Sequence, residues 1–514
     1  MQINKSVAQT ESKEKEVIII GAGIAGITVS IGLAKAGYKI TIIERSDRVL
    51  KGISDRTARR LGAGCHYLGE TSKVYLGYVA LAVRLWPQLG ECRIEGSRWH
   101  YFIHKDSRFK KDEILSNFEA LREYYEQLVK ENPENVIFGD PQTFYQEISK
   151  DDFIQKYPKH PFAIMGDKIT GIIEVAEGIF DWPKIRELLI KEVEGHPNIK
   201  VITNTEVVSM EEKNGEIKLN LKPTDRKKTP WFCKFGIFNI HDVVSAPTVV
   251  NAAWEQANSL NKTLRKSLMK SHNDPLSSFN RHVDRTIIKR IKPIAEVQLP
   301  EGWEGILSAM VAYGPYISYS LIGEGRALLT SEKANIIVES EELSSEHQEW
   351  IRGNISKQDK LFYFNKILEG FRAFLLPELA EFNPTLIEIK FGIVLTESAD
   401  FNERLEKGVE LTYTGPGSTV MTVMAWKFWQ AWKNSEEAVQ LLTLHQSMRD
   451  TLKDPDKYNF SILFGILGEN FKSSIPRGSQ IQSFIMGEIA KQFSSHIAVM
   501  NELKECRKIR ITVS

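Results

Sequence analysis

Residues 16–44 constrain the fold more tightly than any other part of this chain. The run Glu16-Val-Ile-Ile-Ile-Gly21-Ala22-Gly23-Ile24-Ala25-Gly26 reads as a buried strand that turns through glycines into a helix. The following Ile42-Ile43-Glu44-Arg45 reads as a second strand ending in a carboxylate. Gly21 lets the chain leave the strand sharply, Gly23 lets backbone N–H groups approach a pyrophosphate, and Gly26 lets the helix lie close to the sheet. Ile24 and Ala25 open the helix, whose unpaired N–H groups and positive dipole end face the phosphates. Glu44 sits where a carboxylate accepts hydrogen bonds from a ribose diol, with Arg45 beside it. A glycine-rich surface turn would account for the glycines but not for the acid. The segment therefore predicts a parallel α/β sheet holding an adenine dinucleotide.

The 514 residues suffice for two or three domains. A net charge of +1 gives no electrostatic support for a nucleic-acid partner. Cys65, Cys92, Cys233 and Cys506 are scattered with no CxxC, so neither a metal site nor a disulfide framework is indicated. Residues 1–15 are polar and lack the apolar core of a signal peptide. No run reaches the roughly 18 apolar residues that read as a membrane span. The expected compartment is cytoplasmic.

Further along, 72–86 predicts a helix with Val74, Gly77, Tyr78, Leu81 and Leu85 on one face. Residues 101–130 predict a strand and a second amphipathic helix, and 172–175 a short strand. Asp181-Trp182-Pro183 opens another helix, with Asp181 as its cap. The alternation over 206–211, 217–221 and 232–240 suits antiparallel strands, with a hairpin turn at Asn214-Gly215. Strands are expected again over 284–330 and 386–394, helices over 343–380, and an aromatic-rich helix over 420–432. A nucleotide fold thus begins at the N-terminus, is interrupted, and resumes late. The expected organisation is a discontinuous dinucleotide-binding domain of 15–90, 170–260 and 385–432, a substrate domain of 91–169 and 261–384, and a helical extension of 433–514.

Three separated pieces resemble the FAD-dependent oxidoreductases of the D-amino acid oxidase type, including their glycine-oxidase and glycerol-phosphate-dehydrogenase branches. The first is the fingerprint with Glu44-Arg45. The second, Ser54-Asp-Arg56-Thr-Ala-Arg-Arg60-Leu-Gly62-Ala-Gly64-Cys-His66-Tyr67-Leu68, is similar to the segment that crosses the pyrophosphate and approaches the flavin. Arg56, Gly64, Tyr67 and Leu68 match its pattern, with Ser54 at its start as a further expected cofactor contact, while Gly62 stands where several members carry a histidine, so non-covalent FAD is expected. The third comprises Val207, in a strand after a helix, and Thr248-Val-Val-Asn251-Ala252-Ala253, which is similar to a V-V-N-A-A-G element, with Trp254 in place of its glycine. Gly415-Pro416-Gly417-Ser418 resembles the C-terminal turn that faces the flavin pyrimidine.

The resemblance implies a Rossmann-like FAD domain interleaved with an α+β substrate domain on an antiparallel sheet, followed by helices. It implies hydride transfer from a C–N or C–O bond of a small amino or hydroxy acid to flavin N5, with oxygen or another acceptor downstream. No second GxGxxG exists, so the electrons are expected from the organic substrate and not from a pyridine nucleotide. His66, Tyr313, Tyr316 and Arg326 are the candidate catalytic residues: His66 beside the flavin, the tyrosines in the substrate sheet, Arg326 as a carboxylate fork. Hydrogen-bonded structural roles, aromatic packing and a solvated hairpin are the competing readings. A flavin-binding interaction module with weak redox activity, using the C-terminal extension as its contact surface, is the alternative; a flavin monooxygenase is disfavoured for want of a second phosphate motif.

Overall fold

The computed structural model describes residues 15–453 apart from 58, 95, 158–167, 225–242, 272–286, 302–307, 315, 332–333, 335, 375–381, 397–408, 416–417 and 426. Its elements up to residue 439 belong to one compact unit, and the last turns of the helix Gln430–Lys453 belong to a second.

The apolar run after Glu16 makes the strand Glu16–Ile20, with Val17 to Ile20 all buried. It pairs in parallel with Lys39–Ile43 on one side and Thr248–Asn251 on the other. Ile199–Ile202 extends the sheet beyond Lys39–Ile43, and Ser418–Val423 extends it beyond Thr248–Asn251. Val409–Gly415 closes that edge as an antiparallel neighbour, giving six strands. Runs apolar on both faces are the mark of a parallel sheet covered on both sides. The helix Ile24–Lys35 is buried nearly all round. One flank lies on the sheet; on another, Thr28 Oγ1 donates to Ala431 O at 3.0 Å and Ser435 Oγ to Thr28 O at 2.7 Å. The helix Trp182–Gly195 starts as read, with the Asp181 side chain accepting from the Lys184 N–H.

A nine-stranded sheet forms the second half. Its order runs Val338–Ser340, Ile288–Gln298, Arg326–Ser331, Ile317–Gly323, Ser308–Ala312, Trp99–His104, Ile169–Val175, Tyr145–Ile148, and Thr385–Thr396 also pairs along Ile288–Gln298. All its pairings are antiparallel except that of Trp99–His104 with Ser308–Ala312. Ile169–Val175 and Thr385–Thr396, read from sequence as part of the nucleotide half, are strands of this sheet. Helices Ser345–Arg352 and Lys357–Phe374 bury Trp350, Ile367 and Phe371 in a core shared with Ile291, Leu329 and Phe391. On Ile169–Val175, Glu174 is buried and receives Arg98 and Lys156, each at 3.1 Å, and His100 Nε2 at 3.3 Å.

Two small sheets complete the described structure. Thr205–Lys213, Glu216–Pro223 and Val243–Ala246 are antiparallel, turning at Asn214 and Gly215 with φ of +58° and +78°. Arg60–Leu61 pairs with Gly178–Ile179. The helix Glu70–Leu85 forms as expected but is turned about its axis. It buries Tyr75, Leu76, Val79 and Val83, leaving Val74, Gly77, Tyr78 and Leu81 half-buried and Leu85 exposed. The tyrosine at 75 makes the difference, because it reaches inward to the ring cluster of His66 and Tyr67.

Candidate active site

The carboxyl ends of the central parallel strands and one face of the nine-stranded sheet border a single cleft of about 1000 Å³, at the upper end of the range for ligand pockets. At one end lie Gly21, Gly23, Ile24 and Ala25, where the helix Ile24–Lys35 begins. Gly21 has φ +94°, and a Cβ on it would stand 2.7 Å from the Ala252 carbonyl oxygen. Gly26 faces away from the cleft, and a Cβ there would sit 2.0 Å from the Gly21 carbonyl oxygen, so only glycine allows this helix–strand approach. The Glu44 carboxylate accepts the Ala22 N–H through one oxygen and the Ser46 N–H through the other, both at 2.7 Å. Those contacts fix the acid at the cleft edge and leave lone pairs for further donors.

Ser54 Oγ accepts the Ile24 N–H at 2.9 Å, tying the crossing segment to the helix start. Arg56 also lines the cleft and donates through Nη1 to the Phe391 carbonyl at 2.6 Å; burial lowers its pKa from the ordinary arginine value. Arg45 is ion-paired with Glu255, and that carboxylate raises its pKa. Val207, Ala252 and Trp254 complete this end. Trp254 has φ +50°, the left-handed region that favours glycine.

At the other end the walls are His66, Tyr67 and Leu68, the turn of Tyr313, Gly314 and Tyr316, the loop residues Arg108 and Phe109, and Val423, Ala425, Lys427 and Phe428. Lys427 Nζ lies 5.3 Å from the centre of the Tyr67 ring, a cation–π contact. Tyr313 has φ +64°, and its hydroxyl donates to the Cys65 carbonyl. Behind this wall runs a buried polar network. Arg60 Nε and Nη2 contact Glu177 Oε2 at 2.9 and 2.7 Å, and Arg60 also donates to the Tyr101 hydroxyl and reaches His66 Nδ1 at 2.9 Å. Glu177 Oε1 accepts the Ala63 and Cys65 N–H groups at 2.6 and 3.3 Å. Burial would lower the Arg60 pKa, but Glu177 outweighs it and the guanidinium is held above its usual value. Burial pushes the Cys65 thiol and the Tyr101 and Tyr313 hydroxyls well up, so all three stay protonated and neutral at neutral pH.

Residues 16–296 match the family of the FAD dependent oxidoreductases of DAO type. The chain belongs to that family. An L-amino-acid oxidase from Bothrops jararacussu is 40% identical over 120 residues, which cover 22% of this chain and 23% of that protein. The chain therefore aligns with under a quarter of the length of this curated relative. Glycine oxidase from Geobacillus kaustophilus has a like structure, with a TM-score of 0.54 at 14% identity over 83% of this chain and 94% of that one. The L-alpha-glycerophosphate oxidase of Mycoplasma pneumoniae, solved with FAD bound, gives 0.51 at 15% identity over 83% and 94%.

FAD fits the residues present. The glycine cradle, the helix start and Glu44 suit the adenosine diphosphate part, and Arg56 suits the diphosphate charge. The cleft then continues past His66 to the nine-stranded sheet with room for the ring system.

Of the residues expected to hold FAD, Gly21, Gly23, Ile24, Ala25, Glu44, Arg45, Ser54, Arg56, Val207 and Ala252 line the cleft, as do His66, Tyr313 and Tyr316. Three more stand one layer back. Besides Gly26, Gly64 has φ +92° against the Ser72 carbonyl, and buried Asn251 donates to the Ala257 carbonyl and Asn261 Oδ1 at 2.9 Å. The C-terminal turn needs correcting. Gly415 pairs with Ser418 across a β-hairpin at the amino end of Ser418–Val423, and parallel strands carry their ligand at the carboxyl end. Gly417 lies outside the described residues. The expected helix over 420–432 is therefore a strand to Val423, a cleft-lining loop, and a helix from Gln430; Trp426 of the aromatic stripe lies outside the described residues. Arg326 also needs correcting. It sits at a hairpin end, paired with Glu296 at 3.2 Å and Glu324 at 2.9 Å, and is not among the cleft residues.

Sequence reading missed Lys427, Arg108 and Glu177. None lies in a recognisable motif; Lys427 and Arg108 each follow a strand of the site by a few residues, which is the only local signal they carry. The glycine at 62 is explained: a Cβ there would come within 3.2 Å of Arg60 Nε and 3.4 Å of Glu177 Oε1, space the buried ion pair already occupies.

Proposed function

We propose that this protein oxidises a C–N or C–O bond of a small carboxylic acid, a primary or secondary amino acid ahead of a hydroxy acid. FAD, when bound, supplies flavin N5 as the hydride acceptor. The single cleft that joins the nucleotide cradle to the substrate sheet carries this reading. Basic residues outnumber acidic ones along it, with Arg45, Arg56, Arg108, Arg290, Lys292 and Lys427 against Glu44, Glu206 and Glu255. Such a balance favours an anionic diphosphate at one end and an anionic substrate at the other. Arg108 and Lys427 offer cations to the substrate carboxylate from opposite elements. Tyr313 and Tyr316 bound the space in which the reacting C–H bond is oriented, and Phe109 helps to exclude water. The reduced enzyme passes its electrons to oxygen or to another acceptor.

The test is anaerobic titration of the purified yellow protein with a panel of amino and hydroxy acids, followed by flavin absorbance. Bleaching by at least one carboxylate supports the proposal. A flavin that dithionite bleaches and no panel member does would overturn it in favour of a binding module.

A further inference from the structure

We propose that Asp55 is a positioning residue for the cofactor: its carboxylate locks the segment 52–57, at the glycine cradle, to an aromatic bracket around Phe428, so that the two ends of the cleft are set together. The inference rests on FAD as the bound group and not on any substrate.

Gly52, Ser54, Arg56 and Thr57 line the cleft, and Asp55 among them does not. The segment makes the short 3-10 turn Ile53–Arg56, whose consecutive side chains leave in different directions. Three successive residues therefore reach three separate elements. Ser54 Oγ accepts the Ile24 N–H at 2.9 Å, and Arg56 Nη1 donates to the Phe391 carbonyl at 2.6 Å. Asp55 turns to the helix Trp182–Gly195, where its Oδ1 accepts the Trp182 indole N–H at 2.8 Å and Arg186 Nη1 at 3.2 Å. The Asp55 and Arg186 side chains are 23% and 29% exposed, and ion pairs so placed contribute little. Trp182 is only 1% exposed, so its contact is the one that fixes a buried group.

Trp182 carries that contact to the other end of the cleft. Its ring meets Phe428 edge-on at a centroid distance of 5.5 Å, and Phe180 stacks on the same ring at 5.1 Å with the planes 19° apart. Phe428 lines the cleft at the end of His66 and Tyr67. The backbone keeps the two segments aligned. Arg60 and Leu61 pair with Ile179 and Gly178, and the Phe180 N–H donates to the Arg59 carbonyl at 2.9 Å. The hydrogen bond of Asp55 to Trp182 extends this row with a side-chain contact. An indole has one N–H and no acceptor, so the carboxylate fixes which way the ring faces. A ring held that way keeps its edge-on contact with Phe428, an arrangement that aromatic quadrupoles favour. A change at Asp55 thus reaches the far wall of the cleft although Asp55 itself borders neither end.

The full-length protein loaded with FAD supplies the test, with two readouts besides turnover. One is the rate of FAD release on dilution, followed by the recovery of flavin fluorescence. The other is the visible circular dichroism of the bound flavin, which reports the surroundings of its ring. Trp182→Phe keeps an aromatic ring and removes the N–H; Asp55→Leu keeps the side-chain shape and removes the acceptor. Each should speed FAD release about tenfold, the equivalent of one hydrogen bond to a charged group, and should alter the dichroism. The double variant should be no worse than either single one, because both remove the same contact. Asp55→Asn retains an acceptor oxygen and should stay near the parent in both readouts, as should Arg186→Gln. Parent-like release and dichroism in Asp55→Leu and Trp182→Phe would overturn the proposal. A loss in Arg186→Gln equal to theirs would do the same, by assigning the effect to the surface ion pair. Faster release with unaltered dichroism would sink the coupling and leave Asp55 a tether of its own segment. Should Trp182→Phe fail to fold, the Asp55 variants, on a partly exposed side chain, decide by themselves.

Discussion

Glu174 gathers Arg98, Lys156 and His100 on one carboxylate, and the hydrogen bond from His100 is the largest influence holding its pKa at about 2, against an ordinary value of 4.5. The linkage has a definite sign. A carboxyl whose folded pKa lies below its unfolded one contributes stability that is complete above the unfolded value and is lost as pH falls toward the folded one. Urea unfolding of Glu174→Gln should therefore show a flatter decline between pH 4.5 and 2 than the parent. At neutral pH the variant should be less stable by about 1.5–3 kcal/mol, the range for charged hydrogen bonds. An unchanged acid limb would assign this cluster no stabilising role. The same scale shows what sequence can disclose. Glu44 was legible because its partners lie in its own βαβ unit, at a spacing the chemistry imposes. Arg60 carries no local signal of its role, because Glu177 is 117 residues away and no local pattern announces the pair.

Ambiguity between helix and strand accounts for the misread C-terminal segment. The run 418–424, Ser-Thr-Val-Met-Thr-Val-Met, is uncharged and shows no clear period, which suits a buried parallel strand and a buried helix equally. Gly-Pro-Gly likewise marks a hairpin turn as well as a helix entry. The cleft residues of this region come one strand later than expected, at Val423, Ala425, Lys427 and Phe428, because the strand itself occupies the positions assigned to the helix. The helix that follows is held close to Ile24–Lys35 by a small residue. A Cβ on Gly32 would stand 2.4 Å from Ser435 Oγ and 3.2 Å from Val439 Cγ2. Gly32→Val should force the two helices apart and lower stability by about 1–3 kcal/mol. Because the helix at Gln430 follows the loop of Lys427 and Phe428, flavin affinity should fall with it. Denaturant midpoint and flavin retention on desalting check both, and a variant that keeps both would show that this contact adjusts freely.

For the molecule as a whole, the βαβ unit was enough to foresee a parallel sheet at residues 16–43 and an interruption by a second sheet. The strand partners across the interruption were not foreseeable, because Ile169–Val175 and Thr385–Thr396 have the same β character whichever sheet receives them. A cleft walled by both halves makes cofactor binding a whole-fold property. Adding FAD at about 100 times its Kd should stabilise the folded state by about 2.7 kcal/mol through mass action. Glu44→Ala, which frees the Ala22 and Ser46 N–H groups and removes the carboxylate proposed to accept from the ribose, should need at least about tenfold more FAD for the same rise in Tm. Equal titration curves for parent and variant would deny Glu44 that part. The interleaving also has a history in time. Thr248–Asn251 emerges from the ribosome long before its outer neighbour Ser418–Val423, a gap of about ten to thirty seconds at ordinary elongation rates. Throughout that interval the growing chain carries an apolar strand with an open edge, the kind of surface on which nascent proteins associate wrongly. Folding helpers should therefore matter most to this protein midway through its synthesis.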